Sequence, residues 1–266
     1  ENMKIGFIGL GNMAKAMIGG MLKQGIVTAG EIIGSAKTEA TRKRMEEEFG
    51  IVTVADNRQV AEEAEVLVLA VKPVFLAEVI GEIKDAADGN RLVISIAAGK
   101  TMEWMETEFG RPVKLVRCMP NTPALVGEGC TAVCGNGLAA DRDVEFCMKM
   151  VGSFGKAYVI PERLMDAAGA VGGSSPAFVF MFIEAMADGA VQAGTPRKQA
   201  DGFAAQAVLG SAKMVLETGL HPGELKDMVC SPGGTTIEGV KALERNGMRA
   251  AVMEALEACV EKSRLL

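Results

Sequence analysis

Apolar positions in the first 160 residues come in short blocks, not in long helical stripes. Lys4–Ile8, Glu31–Ser35, Ile51–Val54, Val66–Val71, Leu92–Ala97 and Val113–Arg117 each read as a strand. Between them helical patterning recurs at Lys15–Gln24 and around 38–49, 75–87 and 101–108. Strand alternating with helix specifies a mostly parallel, doubly wound sheet covered on both faces. Two more strands, Cys130–Cys134 and Lys156–Ile160, flank a helix at Asp141–Gly152 and complete it. From Pro161 the strand signals stop. Helices are predicted over Pro161–Val171, Pro176–Ala193, Pro196–Thr218, Pro222–Val229, Thr235–Asn246 and Met248–Leu265. Four of these six begin with proline, after residues such as Ser175 and Thr195 that can cap a helix. The pattern divides the chain into residues 1–160 and an all-α part, 161–266. Within the latter, Ala177–Ile183 is apolar on every face, which demands burial all round. A helical domain this small can scarcely enclose it alone, so the segment predicts burial between subunits.

Composition narrows the function classes. The 266 residues carry a net charge of −6 and no basic cluster, which argues against a nucleic-acid partner and for a small molecule. Six cysteines without a Cys-x-x-Cys pair, and one histidine, His221, give no metal-ligand set, so no metal is expected and the thiols read as reduced core residues. No signal peptide is apparent. The longest apolar run, Pro176–Ile183, is far shorter than the roughly 18–20 residues of a membrane span, so the expectation is a cytoplasmic chain without a membrane partner. The 17 methionines read as core filler.

Candidate chemistry begins directly after the first strand. Gly9-Leu10-Gly11-Asn12-Met13-Ala14 is a Gly-x-Gly-x-x-Ala turn between strand and helix. Gly9 suits the tight turn, Gly11 lets backbone approach a pyrophosphate, and Ala14 allows close packing of helix on strand. The strand–turn–helix context points to a dinucleotide; a sheet that has lost its nucleotide is the alternative. At the end of the second strand, an Asp or Glu would bind a ribose 2′-hydroxyl and repel a 2′-phosphate. Ser35 stands there, with Lys37 and Arg42 beyond, which predicts NADPH over NADH unless the two cations are only a solvated helix face. Ala70-Val71-Lys72-Pro73 and the loop carrying Ala98 also fall at carboxyl ends of strands, where ligands of open sheets sit. Met119-Pro120-Asn121-Thr122-Pro123 suits a nicotinamide pocket floor or a plain proline turn. In the helical part, Ser231-Pro232-Gly233-Gly234-Thr235-Thr236 reads as an anion-binding helix start, or as a turn and cap.

Taken in order, Gly-x-Gly-Asn-Met-Ala, Ala70–Pro73, Met119–Pro123, Gly173-Ser174-Ser175-Pro176-Ala177 and Ser231–Thr236 closely resemble pyrroline-5-carboxylate reductase, from Met3 to the last residue. The resemblance implies an α/β Rossmann-like domain and a C-terminal all-α dimerisation domain, assembled as a homodimer or decamer of dimers. It implies reduction of the cyclic imine 1-pyrroline-5-carboxylate to proline by NADPH or NADH, the last step of proline biosynthesis. Carried over by motif, Gly9 to Ala14 bind the pyrophosphate and Ser35 selects NADP. Asn57 lies by the adenosine, and Val71, Lys72 and Pro73 line the cofactor. Backbone N–H groups of Gly233, Gly234 and Thr235 hold the substrate carboxylate, and Thr236 stands nearest the imine nitrogen. One departure is Gly219, where some relatives carry a glutamate close to the substrate.

Hydride transfer to a protonated imine needs positioning more than a strong acid, which fits a chain with one histidine. Ser174 and Ser175 are expected to cap a helix, and His221 to start one. A β-hydroxyacid dehydrogenase is the nearest rival, but that class relies on a lysine early in the interdomain helix and residues 169–183 contain no Lys or His. A non-catalytic NADP sensor is the other.

Overall fold

The computed structural model describes residues 3–87 and 89–265, which form two compact units. The first comprises residues up to Gly173 together with the final stretch from Cys259; the second is Ser174–Ala258.

The first unit is built on an eight-stranded sheet. Its strands are β1 (Ile5–Ile8), β2 (Ile32–Ser35), β3 (Val52–Val54), β4 (Val66–Leu69), β5 (Leu92–Ser95), β6 (Lys114–Met119), β7 (Gly129–Gly135) and β8 (Gly155–Val159). Their spatial order is β3-β2-β1-β4-β5-β6-β7-β8, and every pairing is parallel except β6 with β7. β1, β2, β4 and β5 are buried throughout, because crossover helices cover both faces of a parallel sheet. The helices are α1 (Asn12–Lys23), α2 (Glu39–Phe49), α3 (Asn57–Glu63), α4 (Leu76–Ile83), α5 (Met102–Phe109) and α6 (Asp141–Gly152). Two core clusters result. One gathers around Phe7, Met17, Ile32, Ile94 and Phe154, the other around Ile8, Ile33, Leu67, Ile80 and Leu115.

The sequence pattern anticipates these elements to within a few residues, apart from α3. Its seven residues carry no clear apolar stripe, and only Asp56, which accepts from Arg58 N–H at 2.9 Å, marks its start. Thr38 and Thr101 cap α2 and α5 in the same manner. A short helix, α7 (Met165–Ala168), and the turn before it stay with the sheet. Glu162 accepts from the buried Arg117 at 3.1 Å and from Met102 N–H at 2.8 Å, and Ser263 donates to Asp166 at 2.7 Å.

Where a break was expected near Val171, Gly169–Ser174 instead forms a π-helical segment. Three glycines tolerate the wider turn, and Asn121 Nδ2 donates to Gly172 O at 2.9 Å.

The second unit holds α8 (Ser175–Gln192), α9 (Arg197–Thr218), α10 (Pro222–Val229), α11 (Thr235–Arg245) and most of α12 (Met248–Ser263). Three capping expectations fail here. Ser174 has helical backbone angles and makes no side-chain cap, Ser175 is already the first residue of α8, and Pro196, not Thr195, stands at the start of α9. Pro222 alone of the four prolines opens its helix at the first position. The burial expected for α8 is also unmet within one chain: Phe180 and Met181 are 61% and 68% exposed, and only Ala187 of that helix is buried. Ala187, Ala200 and Ala204 make the unit's one buried cluster among the described residues. Glu162–Gln192 is long and apolar enough, by length and composition, to cross a membrane, although its longest unbroken apolar run is short.

Candidate functional site

In the sheet unit, the predicted cofactor residues line up along one edge. The carboxyl ends of β2, β1, β4, β5 and β6 carry Ser35, Gly9, Ala70, Ala98 and Pro120 in that spatial order. β1 sits between β2 and β4, where the strand order reverses, which is the binding position in open α/β sheets. A cavity of about 700 Å³ lined by Val66, Leu92 and Lys114 lies at the opposite, amino ends of the strands.

The turn after β1 is shaped for close approach. Gly9 has φ +95°, and a Cβ there would lie 2.5 Å from Ala70 O, so only glycine fits. A Cβ on Gly11 would meet no protein atom within 4 Å. The protein itself does not require glycine at 11, and the space beside it is open. Gly11 is also the cap of α1, so the unpaired amides of Asn12, Met13 and Ala14 open beside it with the positive end of the helix dipole. Ala14 is buried as expected. Leu10 is 2% exposed and packs against Gly34, which leaves only its backbone for a ligand.

At the end of β2, Ser35 is fully buried and donates from Oγ to Asn57 Oδ1 at 2.7 Å. Asn57 in turn donates from Nδ2 to Glu82 Oε2 at 2.6 Å. Arg42 Nη1 donates to Ala36 O at 2.7 Å and Lys37 O at 3.3 Å, so its guanidinium holds the loop. Lys37 is exposed, 3.8 Å from Glu78 and 5.0 Å above the Phe75 ring. The hydrogen-bonded link from Ser35 to Glu82 is absent from the sequence reading. Its members lie 22 and 25 residues apart, and no local pattern joins them.

The loops after β4 and β6 are held firmly. Ala70 N–H donates to Ile8 O at 2.8 Å, Val71 reaches toward Gly9, and Pro73 opens a short 3₁₀ turn after Lys72. Asn121 is 8% exposed and engaged at both ends of its amide, because Oδ1 also accepts from Cys130 N–H at 2.7 Å. That side chain ties β7 and the π-helical segment together.

In the helical unit, Ser231–Gly234 is a turn closed by Gly234 N–H donating to Ser231 O at 3.0 Å. Pro232 and Gly233, with φ +69°, occupy the middle positions of a type II turn. Gly234 then caps α11 with extended backbone. Its amide is therefore already engaged, whereas Thr235 and Thr236 have no carbonyl one turn back to pair with. Their hydroxyls also bond no other group among the described residues, and Thr236 is half-buried. An anion fits this amide fan at the dipole's positive end. His221 caps α10, accepting from Gly223 N–H on Nδ1 at 3.0 Å, as expected of a helix start. Gly219 ends α9 in left-handed backbone, φ +68°, a conformation that a glutamate there would adopt only under strain.

The cysteines are unpaired among the described residues, but not all are core: Cys130 is exposed, and Cys230 and Cys259 are half-buried. Cys118 and Cys147 lie buried with their sulfurs 3.1 Å apart. The Cys147 hydrogen bond, aided by burial, pushes the Cys118 thiol well up.

Comparison with known proteins bears on both units. A family model described as pyrroline-5-carboxylate reductase dimerisation matches residues 162–266, and one described as NADP oxidoreductase, coenzyme F420-dependent, matches residues 4–99. The pyrroline-5-carboxylate reductase of Escherichia coli K12 is 50% identical over 263 residues, covering 99% of this chain and 98% of its own. That of Methanosarcina acetivorans is 46% identical over 266 residues, covering 100% and 98%. Among solved structures, the Coxiella burnetii pyrroline-5-carboxylate reductase superposes with a TM-score of 0.93 at 34% identity, covering 99% of this chain and 98% of that one. The Plasmodium falciparum pyrroline carboxylate reductase, with NADP bound, gives 0.90 at 33% identity, covering 100% and 98%.

Proposed function

The chain belongs to the pyrroline-5-carboxylate reductase family, and from that premise we propose how its residues convert 1-pyrroline-5-carboxylate to L-proline. It is an NAD(P)H-dependent oxidoreductase acting on a C=N bond, in the final step of proline biosynthesis. The observation that carries this is half-identity to a reductase of that name across 99% of the chain.

The nucleotide edge fits the cofactor: space stands open at Gly11, α1 presents its first amides, and β2 ends in serine instead of a carboxylate. Bound there, NADPH supplies a hydride for the imine carbon, and one proton completes the nitrogen. The amides of Gly11 to Ala14 hold the pyrophosphate. Ala70 to Pro73, Ala98, Pro120 and Asn121 line the rest, with Asn121 acting through the loop that it fixes. Lys37, exposed and 3.8 Å from Glu78, swings to a 2′-phosphate. In the helical unit the free amides of Thr235 and Thr236, with that of Gly233, hold the substrate carboxylate, while Gly234, whose amide is engaged by Ser231 O, shapes the turn. Thr236 Oγ1 hydrogen-bonds the imine nitrogen and orients it. No side chain is asked for a large pKa shift, because a protonated imine is already a good electrophile.

Residues 1–160 act as the NADP-binding domain and 161–266 as the substrate-binding and dimerisation domain. The chain self-associates through the latter, and a homodimer or a decamer of dimers is the assembly we favour. The apolar helix Glu162–Gln192 then meets a second copy in place of lipid, which the dimerisation match over the same residues supports. Unpaired cysteines accord with the cytoplasm.

The test is NADPH oxidation with pyrroline-5-carboxylate beside a β-hydroxyacid couple, on the wild type and on Thr236→Ala. Only the imine should turn over. Thr236→Ala should lower kcat/KM about 10²-fold, the scale of one transition-state hydrogen bond. Turnover of the hydroxyacid alone would sink the assignment, and an unchanged variant would remove Thr236 from the mechanism.

A further inference from the structure

Ser35 stands where nucleotide choice is normally made, yet its hydroxyl is fully buried and its proton already goes to Asn57 Oδ1 at 2.7 Å. A hydroxyl can donate or accept, so Ser35 would tolerate either orientation of the Asn57 amide. A carboxylate only accepts. Glu82 Oε2, 2.6 Å from Asn57 Nδ2, therefore fixes the amide and, through it, compels Ser35 to donate. One N–H of Asn57 remains, beside a carboxylate. α4 also carries Glu78 one turn earlier, 3.8 Å from Lys37. Two acids of one helix thus engage the residues expected around the ribose.

We propose that Glu82 is a specificity-determining residue: it orients Asn57 and sets its negative charge against a ribose 2′-phosphate, which keeps the site open to NADH. An N–H next to a carboxylate suits a 2′-hydroxyl, which donates as well as accepts. A 2′-phosphate only accepts at neutral pH when fully ionised, and it meets like charge. Dinucleotide-binding sheets that hold a ribose through a carboxylate on β2 make that contact directly; here the carboxylate arrives from α4 through Asn57. The proposal rests on the dinucleotide reading of this edge.

The experiment is calorimetric titration of NADPH and of NADH into the intact protein as wild type, Glu82→Gln and Glu82→Asp, at low and high salt. Glu82→Gln removes the charge and lets the amide turn. NADPH should bind about three- to tenfold more tightly, on the scale of like charges several ångströms apart in water, with the gain shrinking at high salt. NADH should change by less than about twofold on the same reasoning. Glu82→Asp, which keeps the charge, should retain the wild-type ratio. Equal shifts for both nucleotides, no shift, or weaker NADPH binding alone would overturn the proposal. If the wild type binds neither nucleotide, the dinucleotide reading itself fails, and that result is distinct from an unchanged ratio.

Discussion

The two units use similar side chains to opposite ends. In the sheet unit, Phe7, Phe154, Met17 and Ile32 are all but inaccessible, and both sheet faces are closed by the unit's own helices. In the helical unit, Phe180, Met181, Phe203 and Met253 are each more than 60% exposed, and three alanines form the core. Hydrophobicity alone therefore does not say where a core is. It says only that apolar surface must be covered, and the dimerisation match over residues 162–266 supports self-association of this region.

The comparison is broken most directly at α8. Phe180→Glu with Met181→Asp should dissociate the assembly and remove nearly all activity, read by light scattering after size exclusion and by the imine assay. A fully active monomer would show that the helical unit stands alone. Next in size, Phe7→Ala should lower the stability of the sheet unit by about 3–5 kcal/mol, as for other buried phenylalanines. Denaturation of this unit should be independent of protein concentration, unlike that of the helices, and a shared concentration dependence would dissolve the distinction. Smallest is His221→Ala. Loss of the α10 cap should lower local stability by about 1 kcal/mol, with the pH profile of kcat unchanged. A shifted profile would give His221 a chemical role.

What could be read in the chain follows from range. Strands at the sheet centre are short, apolar and bounded by turn residues, so their alternation with helices revealed a mostly parallel, doubly wound sheet, though not its strand order, and Gly9 to Ala14 declared a turn through residues adjacent in sequence. α3 escaped because seven residues offer too few turns for a stripe. The π-helical turn escaped because glycines ordinarily signal a break, and only the distant Asn121 reveals what holds them in helix. Ser174 and Thr195 looked like caps by type, but a cap depends on backbone angles that composition does not supply. The diglycine turn was legible as a motif, yet which of its amides is already engaged became visible only with the Ser231 carbonyl in place. Glu82 lies beyond any local pattern.

The chain leaves the sheet unit after Gly173 and comes back to it at Cys259, where Ser263 fastens its end to Asp166. The helical segment is thus a loop stitched at both ends. While the last residues stay docked on the sheet unit, the segment is a closed loop and not a free tail, which lowers the conformational freedom its helices gain on coming apart. An element with almost no interior of its own thus borrows the fixed ends of a unit that has one.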